Sequence, residues 1–419
     1  MSASIRSRVT SPSEPSGGHG AGRASDGGGP GSPLDRDQIV GAVARATGRR
    51  LAGGRLGGQA LPRDAVIAVA MSGGVDSAVA AALAVGAGAQ VLGVTMRLWG
   101  EVPRNGGGCC SVEAVEDARR AATRLGIPHY VLDLSAGFAD RVVADFAATS
   151  LVGRTPNPCV RCNQWIKFGA LLDRVRAVGA THLATGHYAR VRVDLHRRLG
   201  LHRAADRRKD QSYTLYHLDS QQLRAVLLPL GDVLKSEVRA IAAACGLGLA
   251  TKPDSQDLCF VGGDHRGWLR GRLASTLVPG PIATEDGTVV GEHGGLALYT
   301  VGQRQGLGLD PRGPEQRPWY VLRLDPVANQ VVVGPREALA VTAAVVEDCV
   351  YLDGRAPAAP LAADVQLRAH GRPVAATWEP GRGGRALVRF AAPEPMVAPG
   401  QAAVCYLGER VVAGGTLAA

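Results

Sequence analysis

The feature that most narrows the fold is Ala65-Val-Ile-Ala-Val-Ala70 followed at once by Met71-Ser-Gly-Gly-Val-Asp-Ser77. The continuous apolar run is the pattern of a strand buried on both faces of a parallel sheet. Gly73 and Gly74 then let the backbone turn tightly and come close to a phosphate. An Ala-rich stretch from about Ser77 to Val85 reads as the helix that follows. In such a unit the amides at the helix start face an anion, and the helix dipole adds to the attraction. Ser72 and Ser77 can donate hydroxyls, whereas Asp76 repels a phosphate unless Mg²⁺ stands between them. The loop therefore points to a nucleotide plus a metal, with Ala70, Met71, Ser72, Gly73, Gly74, Val75, Asp76 and Ser77 as its contacts. It lacks the Gly-Lys-Ser/Thr ending of a Walker A loop.

The pattern continues beyond the loop. Gln90–Met96, His129–Asp133 and Thr181–Gly186 read as further strands, and Val112–Leu125 and Ile166–Val178 as helices. This alternation predicts a doubly wound α/β sheet. Met96 and Gly186 end strands on the carboxyl edge, where ligands bind in such sheets. Met96 suits either adenine packing or the core, and Gly186 would let a nucleotide approach. After about residue 280, short runs such as Gln330–Gly334, Ala386–Phe390 and Ala402–Tyr406 alternate with Gly and Pro turns, which suits a small β-barrel or sandwich. Residues 1–62 are rich in Gly, Ser, Pro and Arg and are expected to be largely disordered, with a short helix possible from Asp35 to Arg49. Glu14, Asp26, Asp35 and Asp37 weigh against a transit peptide, and no apolar stretch reaches spanning length. A cytoplasmic protein with no membrane partner is expected, rather than an organellar one.

The formal charge of +10 favours a polyanionic partner such as nucleic acid. Cys109, Cys110, Cys159, Cys162, Cys245, Cys259, Cys349 and Cys405 are not spaced like a secreted disulfide scaffold, so metal or redox chemistry is the alternative. Three readings stay open for Cys159-Val-Arg-Cys162 and Cys259. Cys162 and Cys259 could be a catalytic pair, with a thiolate favoured by Arg161 or Lys167, one carrying a persulfide that the other resolves. Cys159, Cys162 and Cys259 could instead hold a [4Fe-4S] cluster with one open iron. All could be buried structural thiols. Cys109-Cys110 reads as a loop near the nucleotide, and Cys245, Cys349 and Cys405 as packing.

SGGVDS, NPCxxCNxxIKFG, ATGHYA, KDQSY, DSQDLCF and YTVGQRQGLG occur in that order from about Asp64 to the C-terminus. This set resembles the tRNA-specific 2-thiouridylases. The resemblance implies a PP-loop (adenine nucleotide hydrolase-like) catalytic domain over residues 63–228 with about 250–265. It implies a central domain over 229–249 and 266–335, and a tRNA-binding β-barrel over 336–419. It implies that ATP adenylates the C2 oxygen of the wobble uridine and that a persulfide on Cys259 delivers sulfur. Cys162 would be the nucleophile, releasing that sulfur or forming a disulfide with Cys259. Asn157, Pro158 and Cys159 would line the target base, and His187, Lys209, Asp210, Gln211, Gln366, Leu367 and Gln401 would contact tRNA. Cys159 stands where many members carry Asp, which raises the cluster reading. The protein would act as a monomer with a sulfur donor, a persulfide relay or cysteine desulfurase. Rival functions are another adenylating enzyme with the same loop, or a non-catalytic basic RNA-binding iron–sulfur protein.

Overall fold

The computed structural model describes residues 32–99, 111–194, 197–254, 258–310, 317–395 and 397–418. Val66–Ala70, nearly free of polar atoms, takes an interior place in a five-stranded sheet. The spatial order is His129–Asp133, Gln90–Arg97, Val66–Ala70, His182–Thr185, Val226–Leu227, and every pair is parallel. The chain runs outward from Val66–Ala70 in one direction and then returns to its other side at His182. The strand order thus reverses between Val66–Ala70 and His182–Thr185, the place where a crevice opens at the carboxyl ends of such strands. Val75–Gly86 follows the first strand as a helix whose Ala-rich surface is buried almost all round.

Residues 33–62 are not the disordered extension expected from their composition. Arg36–Thr47 is an α-helix with a capping box between Asp35 and Gln38 and a left-handed Gly48 at its end. Ile39, Ala42 and Val43 recur at helical spacing and are buried in one cluster with the Val75–Gly86 helix. A small hairpin of Arg55–Leu56 and Gln59–Ala60 follows, and the Gln59 Nε2 donates to the Val226 carbonyl at 2.7 Å. The Arg36–Thr47 helix falls within the short one read as possible from Asp35 to Arg49, and the rest of the segment is more ordered than its composition suggested. Residues 1–31 lie outside the described residues.

A second expectation also fails in part. Residues 229–249 were assigned to the central domain, but the helix Lys235–Ala244 buries Val238, Ile241 and Ala242 in the cluster that holds Val75–Gly86. The central region proper contains the helix His265–Leu273 and a four-stranded sheet of Gly280–Ala283, Val289–His293, Tyr320–Asp325 and Gln330–Gly334. Its aromatic joint with the nucleotide domain is Phe260, edge-on to Phe138, Phe146 and Trp268 with centroids at 5.7, 5.5 and 5.2 Å.

The C-terminal strands close into a barrel rather than a sandwich. Val341–Tyr351, Ala386–Glu394, Val374–Pro380, Leu361–Gln366, Ala402–Leu407 and Arg410–Leu417 pair in that order, and the last pairs back to the first. The hairpin Ala189–Val193/Leu199–Arg203 extends this sheet through His202 opposite Arg410. Arg203 stacks over the Tyr406 ring at 3.6 Å, and the Tyr213 hydroxyl donates to the Ala402 carbonyl at 2.8 Å. Among the described residues no helix is long and apolar enough to cross a membrane.

Candidate active site

The loop Met71–Ser77 is shaped before any ligand arrives. The Ser77 hydroxyl donates to the Gly74 carbonyl at 3.0 Å and accepts from the Ser72 amide at 3.1 Å. Ser77 is buried and serves the loop itself, while Ser72 is exposed with its hydroxyl 3.3 Å from the Ser77 hydroxyl. Gly73 has φ +71°, and a Cβ there would lie 2.1 Å from the Ala114 carbonyl oxygen, so only glycine fits. Gly74 caps the Val75–Gly86 helix without a side-chain hydrogen bond, which leaves the first-turn amides open toward the crevice.

This helix start opens into a cavity of about 910 Å³. Ala70, Met71, Ser72, Gly73, Gly74, Val75, Asp76, Ser77, Met96 and Gly186, the residues expected to hold a nucleotide, all line it. Gly186 has a different physical reason from the one expected. A Cβ on it would lie 2.8 Å from the Ser77 amide nitrogen, so its absence lets the His182–Thr185 strand end press against the helix start.

Asp76 does not face an anion uncompensated. Its carboxylate accepts from Lys235 Nζ at 2.7 and 2.8 Å and from the Tyr188 hydroxyl at 2.6 Å. Lys235 also pairs with Asp254 at 2.8 Å, and Asp254 with Lys209 at 2.7 Å and Arg239 at 3.1 Å. Burial pushes the Asp254 carboxyl up, but hydrogen bonds from Lys209 and Lys235 outweigh it and hold the group down to about 2. Burial, with the Asp76 carboxylate beside it, keeps the Tyr188 phenol protonated. Lys252 donates to the Gly73 carbonyl at 2.9 Å and pairs with Asp117. Lys167, Arg208, Lys209 and Lys252 thus bring positive charge to one cavity with the phosphate-type loop.

Three family descriptions match the chain in series. These are a tRNA methyl transferase HUP domain over residues 65–263, a tRNA methyl transferase PRC-barrel domain over 266–335 and an aminomethyltransferase beta-barrel domain over 341–417. The tRNA-specific 2-thiouridylase MnmA of Moorella thermoacetica is 48% identical over 356 residues, 83% of this chain and 98% of the relative. That of Acidothermus cellulolyticus is 49% identical over 357 residues, 84% and 97% of the two chains. The chain belongs to the tRNA-specific 2-thiouridylase family. Membership makes it an enzyme of the sulfurtransferase class, and the fold is the nucleotide-binding α/β domain, central domain and closed barrel described above. Among solved structures, the U34-tRNA thiolase NcsA from Methanococcus maripaludis is 16% identical over 57% of this chain and 71% of its own, with TM-score 0.31.

The residues expected for tRNA fall into three environments. Lys209, Gln211 and His187 line the cavity. His187 is buried, with Nδ1 2.7 Å from the Thr185 hydroxyl and its ring 5.7 Å from Phe168. Burial, with Lys167 and His217 nearby, keeps it neutral. Asp210 turns inward, its carboxylate accepting from Ala204, Ser212 N and Ser212 Oγ. Gln366 ends the barrel strand Leu361–Gln366 and Leu367 follows it; both are buried, and Gln366 Nε2 donates to the Arg368 carbonyl at 3.0 Å. The exposed neighbours Arg368 and His370 stand beyond them, and His370 reaches the cavity. Gln401 donates to the Thr155 and Pro156 carbonyls at 3.1 and 3.3 Å.

Cys159 is exposed on the short helix Pro158–Arg161, whose N-cap Asn157 accepts from the Val160 amide at 3.3 Å. Cys162 is buried at the start of wide, π-type turns over Cys162–Leu171, a geometry common near functional sites. Arg161, beside it, stacks on Trp165 at 5.0 Å and pairs with Asp145 at 3.7 Å. Cys259 is half-buried and packs against the hydrophobic cluster that contains Cys162. Its neighbour Phe260 sits in the aromatic joint, and Asp254 upstream is held by the lysines of the cavity. Among the described residues, no three His, Cys, Asp or Glu side chains are grouped to hold a metal. The cysteines therefore do not fit a [4Fe-4S] cluster in this arrangement. Cys109 and Cys110 lie outside the described residues.

Sequence reasoning missed Tyr188, Lys235, Lys252, Asp254 and His370. Tyr188 stands inside ATGHYA and Asp254 opens DSQDLCF, so both carried a motif signal. Lys235, Lys252 and His370 carried none, because only the folded chain brings them to the loop.

Proposed function

We propose that this enzyme thiolates a tRNA uridine at C2 in two stages, adenylation by ATP and sulfur transfer from a cysteine persulfide. The observation that carries the reading is the open helix start behind Ser72–Gly74, facing a cavity lined by Lys167, Arg208, Lys209 and Lys252. ATP phosphates are the anions such a cradle selects. Ala70–Ser77, Met96 and Gly186 surround the nucleotide, and Mg²⁺ arrives with the phosphates rather than on Asp76, whose oxygens Lys235 already holds.

The C2 oxygen of the uridine attacks the α-phosphorus and pyrophosphate leaves. The terminal sulfur of a Cys259 persulfide then attacks C2, and AMP departs with the original oxygen. Cys162 thiolate attacks the Cys259 sulfur, which breaks the S–S bond and leaves sulfur on C2. A Cys162–Cys259 disulfide remains, and an external thiol reduces it before a sulfur-donor protein reloads Cys259. Asn157, Pro158 and Cys159 would border the base, an unpaired anticodon nucleotide that can be splayed into a pocket. Lys209, Gln211 and the exposed Arg368 would meet RNA phosphates.

Oxygen tracing tests the first stage. With ¹⁸O at C2 of the target uridine, the label should appear in AMP, and only when tRNA and ATP are both present. Label retained in RNA, or ATP cleaved to ADP, would remove adenylation from the mechanism. The cytoplasm is the expected compartment.

A further inference from the structure

The segment that leads into the cysteine helix has an unusual shortage of donors. Thr155-Pro156-Asn157-Pro158 contains two prolines, which have no amide hydrogen and pin φ. Its carbonyls must be satisfied from elsewhere. The barrel supplies this. The Gln401 amide places its NH₂ group 3.1 Å from the Thr155 oxygen and 3.3 Å from the Pro156 oxygen. The Thr155 amide in turn donates to the Pro399 carbonyl at 2.7 Å. Gly400, φ +90°, lies so close that a Cβ would stand 2.8 Å from the Thr155 oxygen. Gln401 is itself fixed, since Leu417 N donates to its carbonyl at 2.8 Å. Arg154, one residue upstream, pairs with Glu347 and donates to the Leu417 carbonyl at 3.0 Å.

These contacts hold the backbone immediately before Asn157, the N-cap of the helix that carries Cys159 and leads to Cys162. The same helical run continues to Lys167, a wall of the nucleotide cavity. We infer that Gln401 is a positioning residue of the thiolation reaction. Its amide clasps Thr155 and Pro156 so that the barrel sets the register of Cys162 against the activated base. The side chain's NH₂ group donates to two of the protein's own carbonyls. This inference rests on the thiolation reading given above.

The test compares wild type with Gln401→Glu and Gln401→Leu, both of which lose the donor pair; Glu also turns a carboxylate toward the carbonyls. Steady-state thiolation of tRNA, with a low-molecular-weight persulfide as donor and excess thiol as reductant, should show kcat reduced on the order of 10- to 100-fold. KM for tRNA and KM for ATP should stay within about twofold, the split expected when a group is misplaced but binding survives. A rise in KM for tRNA at unchanged kcat would make Gln401 a direct RNA contact and overturn the inference. So would unchanged kinetics. A second readout needs no turnover. Alkylation of Cys162 by iodoacetamide, followed by peptide mass spectrometry, should speed up several-fold in both variants at unchanged melting temperature. An unchanged rate would overturn the clasp. If wild-type protein thiolates nothing while the alkylation change appears, the thiolation reading fails and the clasp alone stands.

Discussion

Lys235 bridges Asp76 of the phosphate-type loop and Asp254 of the segment that leads to Cys259, at 2.7 and 2.8 Å. The ammonium is largely shielded, so it cannot be replaced by water on both sides without cost. The two carboxylates would otherwise repel each other and any phosphate placed between them.

Lys235→Met should therefore raise KM for ATP at least about tenfold and lower stability by about 1–3 kcal/mol, the scale of a charged hydrogen bond left unsatisfied. Urea unfolding and ATP titration by calorimetry check both parts. Lys235→Arg, which keeps the charge, should recover most of the stability.

The same network gives an acid-side signature. Asp254 has a folded pKa of about 2, below its ordinary value near 3.8. A lowered carboxylate pKa stabilises the fold above the unfolded value, and that stability is lost as pH falls from about 4 to about 2. Asp254→Asn should flatten this part of the stability–pH curve; an unchanged slope would show that Asp254 is not held as described.

His217 acts in a higher pH window. It is buried, and among the described residues neither ring nitrogen has a hydrogen-bond partner of good geometry. Burial pushes it down to about 4. A histidine kept neutral by folding leaves the unfolded chain to bind the proton first, so stability falls as pH drops from about 6.5 toward 4. His217→Phe should remove up to roughly 3 kcal/mol of that loss, measured by urea unfolding at pH 7 and pH 4.5.

Gly73→Ala and Gly186→Ala test the shape of the cradle. The first puts a Cβ on the Ala114 carbonyl in a left-handed backbone, and the second drives the strand end off the helix start. Both should lose at least about tenfold in ATP affinity, because amides only weakly misaligned no longer meet a phosphate. Calorimetry with a non-hydrolysable ATP analogue reads this directly.

The cysteines should react in an order set by their surroundings. Burial pushes the Cys349 and Cys405 thiols up to about 12, so neither forms a useful thiolate near neutral pH. Native alkylation at pH 8 should mark the exposed Cys159 long before either. Cys405→Ala should leave thiolation unchanged.

Much of the nucleotide half was legible in the sequence because its signals are local. Val66–Ala70, Gln90–Arg97 and His129–Asp133 are short apolar runs, and each appears as a strand close to its expected ends. The loop between the first strand and helix is where its glycines required it. The two-residue strand Val226–Leu227 was too short to carry a period, whereas the Arg36–Thr47 helix falls within the short helix read from Asp35 to Arg49. Site residues that depend on distant chain, such as Lys235 against Asp76, or Gln401 against Thr155, leave no trace in local pattern. Gln366 and Leu367 were given only by resemblance, and both are buried at the end of the barrel strand Leu361–Gln366.

The most direct measurement is mass spectrometry of tRNA nucleosides after incubation with ATP, Mg²⁺ and a persulfide donor under anaerobic conditions. The visible spectrum of the protein is recorded first. The account predicts 2-thiouridine from a colourless wild-type enzyme, with its loss in both Cys162→Ser and Cys259→Ser while tRNA-dependent AMP formation continues. No thiolated base, or thiolation that survives both substitutions or tracks a brown chromophore requiring Cys159, would contradict it.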